Sequence, residues 1–244
     1  MGTVAVLAAR PAAALLAPVL IRQGERVRRE TPVLPEAGGA RAGAEGHGQP
    51  LHVVVIGEST AAGVGVSTQD DGLARHFAAE LAACSGHRVH WQLFASTGAT
   101  AGHTRRELLP RAVQDRHDLA LVVLGVNDAL RLRGRHAWRR SVADITATLR
   151  SVQRPGGRVV LAGVPDLGSF PALPQPLRAV MGLHARGLDR QLRGLARNDP
   201  AVQHVPAPDI EADLFAADHF HPSAEAYQLW ASHLVHAVSH DWIS

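Results

Sequence analysis

Residues 51–65 read Leu-His-Val-Val-Val-Ile-Gly-Glu-Ser-Thr-Ala-Ala-Gly-Val-Gly. The run from Leu51 to Gly57 is short, β-branched and closed by a glycine, which is the pattern of a buried strand. Just past it, and just before an expected helix, stands the small hydroxyl residue Ser59. In that place a hydroxyl is exposed at the sheet edge, with its backbone N–H turned toward a helix N-terminus. Ser59 or Thr60 as a plain N-cap fits the same letters. A phosphate-cradling loop fits them poorly, because the glycines are not spaced as G-x-G-x-x-G and no lysine follows.

Outward from this stretch, strand and helix patterns alternate. Leu73, Phe77 and Leu81 have helical spacing and predict a helix over 73–84. Strands are expected at 88–94, 119–125, 158–163 and 202–205, and helices at 104–113, 138–152 and 177–197. A Pro-Ser pair opens a closing helix over 223–238. The 119–125 run is apolar throughout, as a central parallel strand covered on both faces should be. The alternation predicts a doubly wound α/β fold, a flavodoxin-like three-layer α/β/α sandwich on a five-stranded parallel sheet. Ligands of such folds lie beyond the carboxyl ends of the strands. That singles out the ends of the first and third strands and the loops near Gly98 and Asp218.

Composition narrows the function classes. A chain of 244 residues suffices for one domain with a proper core, and 46% hydrophobic with 19% charged residues is a globular balance. All 25 basic residues are arginine. The absence of lysine excludes a Walker A loop and a Schiff-base lysine. With 22 acidic residues leaving a net charge of +3, no nucleic-acid partner is expected. The arginine clusters at 26–29 and 131–140 read as solvated helix faces or linker. Cys84 is the only cysteine, so no intrachain disulfide can form. Following Leu81, Ala82 and Ala83, it is expected to be a buried structural residue.

The first fifty residues differ from the rest. Residues 3–21 are almost entirely apolar, broken by Arg10, Pro11 and Pro18, and 31–50 is punctuated by proline and glycine. The expected organisation is an apolar N-terminal segment plus a Gly/Pro-rich linker over 1–50, then a folded domain over 51–244. Three readings of the apolar stretch stand: a helix lying on the domain or on a membrane surface, a reverse-oriented anchor, and a cleaved signal. The charges at Arg22, Arg26, Arg28 and Arg29 follow the apolar part. By the positive-inside rule they place the domain in the cytoplasm, with membrane contact through 3–21 and secretion as the other options.

Three further blocks carry candidate chemistry. Asn127, in Leu124-Gly125-Val126-Asn127-Asp128, can donate from a strand end to a developing oxyanion, or serve as an Asx turn or cap. Gly98, in Ser96-Thr97-Gly98-Ala99-Thr100, lets a backbone N–H approach a ligand closely, or marks a plain turn. In Asp218-His219-Phe220-His221-Pro222-Ser223 a carboxylate stands three residues before an imidazole. It can fold back onto one ring nitrogen and hold the other toward a nucleophile. A surface loop is the plain alternative. His219 and His221 could chelate a metal, but no H-E-x-x-H motif or carboxylate cluster completes such a site.

Taken together and in this order, the four blocks resemble the SGNH hydrolases, also called the GDSL esterase/lipase family. The blocks are Gly57-Glu58-Ser59, Gly98, Gly125-Val126-Asn127-Asp128 and Asp218 to His221, and the resemblance spans roughly residues 51–240. It implies a serine esterase that hydrolyses carboxylic esters through an acyl-enzyme, without metal or cofactor. Ser59 would be the nucleophile, His221 the general base and Asp218 its orienting carboxylate. The oxyanion hole would be the N–H groups of Ser59 and Gly98 with the side chain of Asn127. The substrate would be a small-molecule, lipid or sugar ester. The first block departs from the family's Gly-Asp-Ser, which bears on the hydrogen bonding around the nucleophile. Gly163 to Asp166 and the Pro-rich 170–176 would form a substrate-facing loop. Two other readings are an α/β-hydrolase, whose order Ser, Asp, His is also met but whose elbow would lack its last glycine, and a catalytically silent SGNH-like module that binds acyl or glycan groups.

Overall fold

A computed structural model describes residues 16–242. Residues 3–15 of the apolar N-terminal stretch lie outside the described residues. Six strands form one sheet: β1 (Ala42–Glu45), β2 (Pro50–Gly57), β3 (Arg88–Ala95), β4 (His117–Val123), β5 (Gln153–Ala162) and β6 (Val202–Val205). Their order is β1-β3-β2-β4-β5-β6. The last five in sequence are mutually parallel and β1 runs antiparallel to β3.

The uniformly apolar run of β2 still obeys the two-residue period of a strand. Val53 and Val55 face one layer, and Val54 and Ile56 face the other. On the first side pack α2 (Leu73–Ser85) and α7 (Ala224–Trp242), through Leu73, Phe77, Tyr227 and Trp230. The opposite side carries a helical segment α3 over 101–112, then α5 (Arg135–Ser151) and α6 (Leu177–Ala196), through Leu109, Trp138, Ile145 and Leu188. The short α4 (Val126–Leu130) follows β4 directly. The expected three layers are present, and each helix covers a stripe of the sheet that would otherwise meet water.

The sheet has six strands rather than five, and the sixth comes from the stretch read as linker. Ala42 to Glu45 pair with Gln92 to Val89 and cover the edge that β3 would otherwise expose. Gly43 fits there because a Cβ would meet the Trp91 indole at 2.9 Å. Arg41 donates to the Ala95 carbonyl at 2.7 Å, and Arg75 pairs with Glu45 at 2.9 Å. A four-residue edge strand of three small residues and a glutamate has no apolar period, so hydrophobic patterning could not reveal it.

Upstream of β1, α1 (Ala17–Glu30) lies on the start of α6. Leu20 is buried in the core, and Gln23 donates to the Gln175 carbonyl at 2.5 Å and accepts from the Leu177 N–H at 3.0 Å. Among the described residues, no helix is long and apolar enough to cross a membrane. Cys84 is exposed, contrary to expectation. It falls in the last turn of α2, past the buried stripe that ends at Ala82.

β4 stops at Val123, two residues before the expected end, because Gly125 turns the chain into α4. Its φ is +137°, and a Cβ there would meet Val164 Cγ2 at 2.5 Å. Gly125→Ala is therefore expected to destabilise the fold by about 2–4 kcal/mol, from backbone strain and overpacking together. Denaturant unfolding of the variant against wild type measures it.

Candidate active site

The loops at the carboxyl ends of β2, β3 and β4 and the loop before α7 meet at one place, as the topology of a doubly wound sheet requires. Ser59 stands two residues past β2. No helix begins there, so the N-cap reading of Ser59 and Thr60 falls away. Residues 58–66 form successive turns, held by Ala62 N–H on the Glu58 carbonyl (2.9 Å), Gly63 N–H on Thr60 (3.3 Å) and Val64 N–H on Ser59 (3.0 Å). Beneath them the buried Tyr227 hydroxyl donates to the Val64 carbonyl at 2.7 Å.

Ser59 Oγ lies 2.9 Å from Nε2 of His221, and Nδ1 of the same ring lies 2.6 Å from Asp218 Oδ2. A carboxylate accepts only, so Nδ1 carries the ring proton and Nε2 is left to accept from the serine hydroxyl. The other oxygen of Asp218 accepts from the N–H groups of His221 (2.9 Å) and Phe220 (3.0 Å). Burial pushes the Asp218 carboxyl up, but the His221 ring and these two N–H groups outweigh it and hold the group below its usual range. The loop is pinned by Ala216 N–H on the His221 carbonyl at 2.7 Å and by His219 N–H on Ala216 at 2.9 Å, with His219 at φ +53°.

Gly98 has φ +76°, and the space where a Cβ would stand is open to 4 Å. The N–H groups of Ser59 and Gly98 meet no protein acceptor among the described residues. The Asn127 amide gives one N–H to Glu58 Oε2 at 2.7 Å, which fixes its orientation and leaves its second N–H unengaged by these residues. The structure thus brings Ser59, His221 and Asp218 into one hydrogen-bonded line, with Asn127 tied to Glu58 beside Ser59 and Gly98 on the loop after β3.

Glu58 explains the departure from Gly-Asp-Ser. It is buried, and its longer side chain reaches the N-terminus of α4. It accepts there from Val126 N–H (2.8 Å), Asn127 N–H (3.0 Å) and the Asn127 amide. Three donors converge on it, an arrangement that suits the carboxylate. Burial opposes them, helped by the neighbouring charge of Asp128, and raises the group to about 7. The spacing of the four blocks points to Ser59 and carries no sign of this role for Glu58.

Two other supports were also hidden. Arg131 donates to the Gly98 carbonyl at 3.3 Å, and the buried Asp128 accepts from Ala101 N–H at 2.7 Å with Arg133 at 4.0 Å. These two arginines brace the loop that carries Gly98 and do more than face solvent. From the supposed linker, Glu36 accepts from Thr97 N–H at 2.6 Å and pairs with Arg41. Ala37 N–H reaches the Ala62 carbonyl at 3.2 Å, and Gln69 bridges both carbonyls. No sequence pattern links residue 36 to residue 97. Pro165 and Phe170, from the loop expected to face substrate, line a narrow hollow with Ser59 and His221. Among the described residues, no group of three or more His, Cys, Asp or Glu could hold a metal ion.

The sequence profile of the GDSL-like Lipase/Acylhydrolase family matches residues 55–229. The GDSL-like esterase Rv1075c of Mycobacterium tuberculosis is 34% identical over 199 residues, which cover 77% of this chain and 62% of that protein. The chain therefore matches about three fifths of that relative's length. A lipolytic protein of the G-D-S-L family from Veillonella parvula superposes with a TM-score of 0.60 at 16% identity, over 78% of this chain and 98% of that one. The psychrotrophic esterase EstA from Pseudoalteromonas sp., in a structure inhibited by monoethylphosphonate, gives 0.59 at 16% identity over 78% and 97%.

Glu58 should mark itself in the pH dependence of stability. Its folded value of about 7 lies above its usual 4.5, so the folded chain retains a proton that the unfolded chain has released in that window. Stability from this group is fully present below about 4.5 and is lost as pH rises through about 7. Unfolding free energies of wild type minus Glu58→Gln, taken from about pH 5 to about pH 8, should fall toward alkaline pH. A flat difference would show that Glu58 is not so perturbed.

Proposed function

Since the chain belongs to the GDSL-like lipase/acylhydrolase family, we propose that it hydrolyses carboxylic esters through Ser59 and an acyl-enzyme intermediate. One observation carries the reading: the unbroken line from Ser59 Oγ through the His221 ring to Asp218. The name of the mycobacterial relative supports an ester as substrate.

In this mechanism His221 Nε2 takes the Ser59 proton as Oγ bonds to the substrate carbonyl carbon. The Asp218 carboxylate stabilises the imidazolium that results, and its two backbone donors keep it in place. The carbonyl oxygen becomes an oxyanion, received by the N–H groups of Ser59 and Gly98 and by the Asn127 amide. When the tetrahedral adduct collapses, the carbon–oxygen bond to the alcohol breaks and His221 returns the proton to the leaving oxygen. Water then attacks the acyl-enzyme with His221 again as base, releasing the acid and restoring Ser59. These donors are held in place before substrate arrives, Asn127 by Glu58, and the residues on either side of the Gly98 N–H by Glu36 on Thr97 N–H and Arg131 on the Gly98 carbonyl. Little reorganisation is left for the transition state.

A silent binding module would have no use for a histidine tautomer fixed by a buried carboxylate and aimed at a serine hydroxyl. The enzyme reading is therefore favoured over it. The substrate is a small-molecule, lipid or sugar ester.

Hydrolysis of p-nitrophenyl acetate tests the proposal. Ser59→Ala should abolish turnover and labelling by a fluorophosphonate probe, with circular dichroism unchanged; full activity in that variant overturns the assignment. Asn127→Ala should lower kcat by about 10²–10³-fold with a much smaller change in KM, as for an interaction made chiefly in the transition state. An unaltered kcat would remove Asn127 from the oxyanion hole.

A further inference from the structure

An apolar cavity of about 320 Å³ adjoins His221, and one of its walls is built by residues that precede the family's matched region. Gly24 and Val27 of α1, with Leu34 from the strap over 31–38, form that wall. Leu177 and Met181 of α6, with Phe220 and His221, also line it. Resting on the serine-esterase reading, we propose that this cavity receives the acyl chain of the ester, and that the N-terminal helix and strap set the length of chain accepted.

The wall is fixed to the body of the protein at both ends. Gln23 clamps α1 to the start of α6 through two hydrogen bonds. Downstream, Ala37 is bonded to the nucleophile loop and Glu36 to Thr97. Leu20, Gln23, Gly24 and Val27 recur at three- and four-residue intervals, so one face of α1 supplies the core contact, the clamp and the cavity lining.

The cavity lies close to the proposed oxyanion donors. Thr97, which lines it, directly precedes Gly98, and Leu130, which also lines it, stands one helical turn after Asn127. A carbonyl oxygen held by the Gly98 and Asn127 donors brings the ester carbonyl close to this cavity, and in our proposal its acyl substituent runs into it. A second hollow, lined by Ser59, His221, Phe170, Phe215 and Phe220, measures only about 20 Å³. At about 320 Å³ the larger cavity lies near the lower bound of small-molecule sites, roughly 300–1,000 Å³. It suits a chain of short to medium length.

Gly24 is the lever. Nothing lies within 4 Å of the place where its Cβ would stand, so a side chain there enters free space. Within a helix interior, replacing glycine also removes a conformational cost.

The test measures kcat/KM of the full chain for p-nitrophenyl esters from acetyl to palmitoyl, beside a series of acetyl esters with lengthening alcohols. Wild type should favour a short or medium acyl group over palmitoyl. In Gly24→Trp the octanoyl-to-acetyl ratio should fall by about tenfold or more, with the alcohol series keeping its profile. Val27→Phe, on the same wall, should move the ratio in the same direction and serves if the tryptophan variant fails to fold. An unchanged ratio in a folded variant, or a shift confined to the alcohol series, overturns the acyl assignment while leaving a Ser59-dependent wild type intact as an esterase. A wild type that cleaves no ester overturns both readings.

Discussion

A carboxylate closed off from solvent must be met by donors or it will take up a proton. Glu58 is met by three, all from the first residues of α4. This one contact ties the end of β2, beside Ser59, to the start of the helix that carries Asn127. It sets the distance between the proposed nucleophile and one of the proposed oxyanion donors. Satisfying three donors at once requires the helix N-terminus to face the serine loop squarely. Gly125 makes that approach possible by adopting a φ that other residues avoid. The neighbouring Asp128 then extends the tie to the loop after β3 through Ala101 N–H. A line of two buried carboxylates thus joins three of the four loops at the site.

The fourth loop is organised differently. Asp218 and His221 lie three residues apart, and the carboxylate binds both the ring and two backbone N–H groups of its own turn. Such a local pair needs little help from tertiary structure, and for that reason it was legible in the sequence. So were Ser59, Gly98 and Asn127, each a small or amide residue just past a strand. The five parallel strands and their covering helices followed from apolar runs of the right length. Patterning could not show contacts made across long stretches of chain. Glu58 to Val126, Glu36 to Thr97 and Arg131 to Gly98 join residues whose partners are set by the fold, and a lone charged residue carries no periodic signal. The edge strand β1 escaped for a related reason, since three small residues and a glutamate beside glycines read as linker until β3 supplies their partner.

The stretch before β2 therefore changes its meaning. By composition it resembles a tether, yet it holds two of the loops at the site. Glu36 carries a charge that burial disfavours and that Thr97 N–H and Arg41 restore, leaving its carboxyl below the usual range. The Thr97 peptide it grips is the one next to Gly98. The strap that forms part of the cavity wall is thus joined to the loop that carries Gly98, a proposed oxyanion donor.

That linkage gives a physical reason for building a wall from a segment outside the shared fold. The α/β body fixes the reacting groups through strands buried on both faces, where small changes in side-chain volume are felt at the site. A helix laid over the body is under weaker constraint. Its cavity-facing residues can change in size with little effect on the sheet, so the space offered to an ester can vary while Ser59, His221 and Asn127 keep their places. The clamp at Gln23 and the ties at Glu36 and Ala37 make such a wall firm enough to discriminate, because a wall free to move would yield to a longer chain.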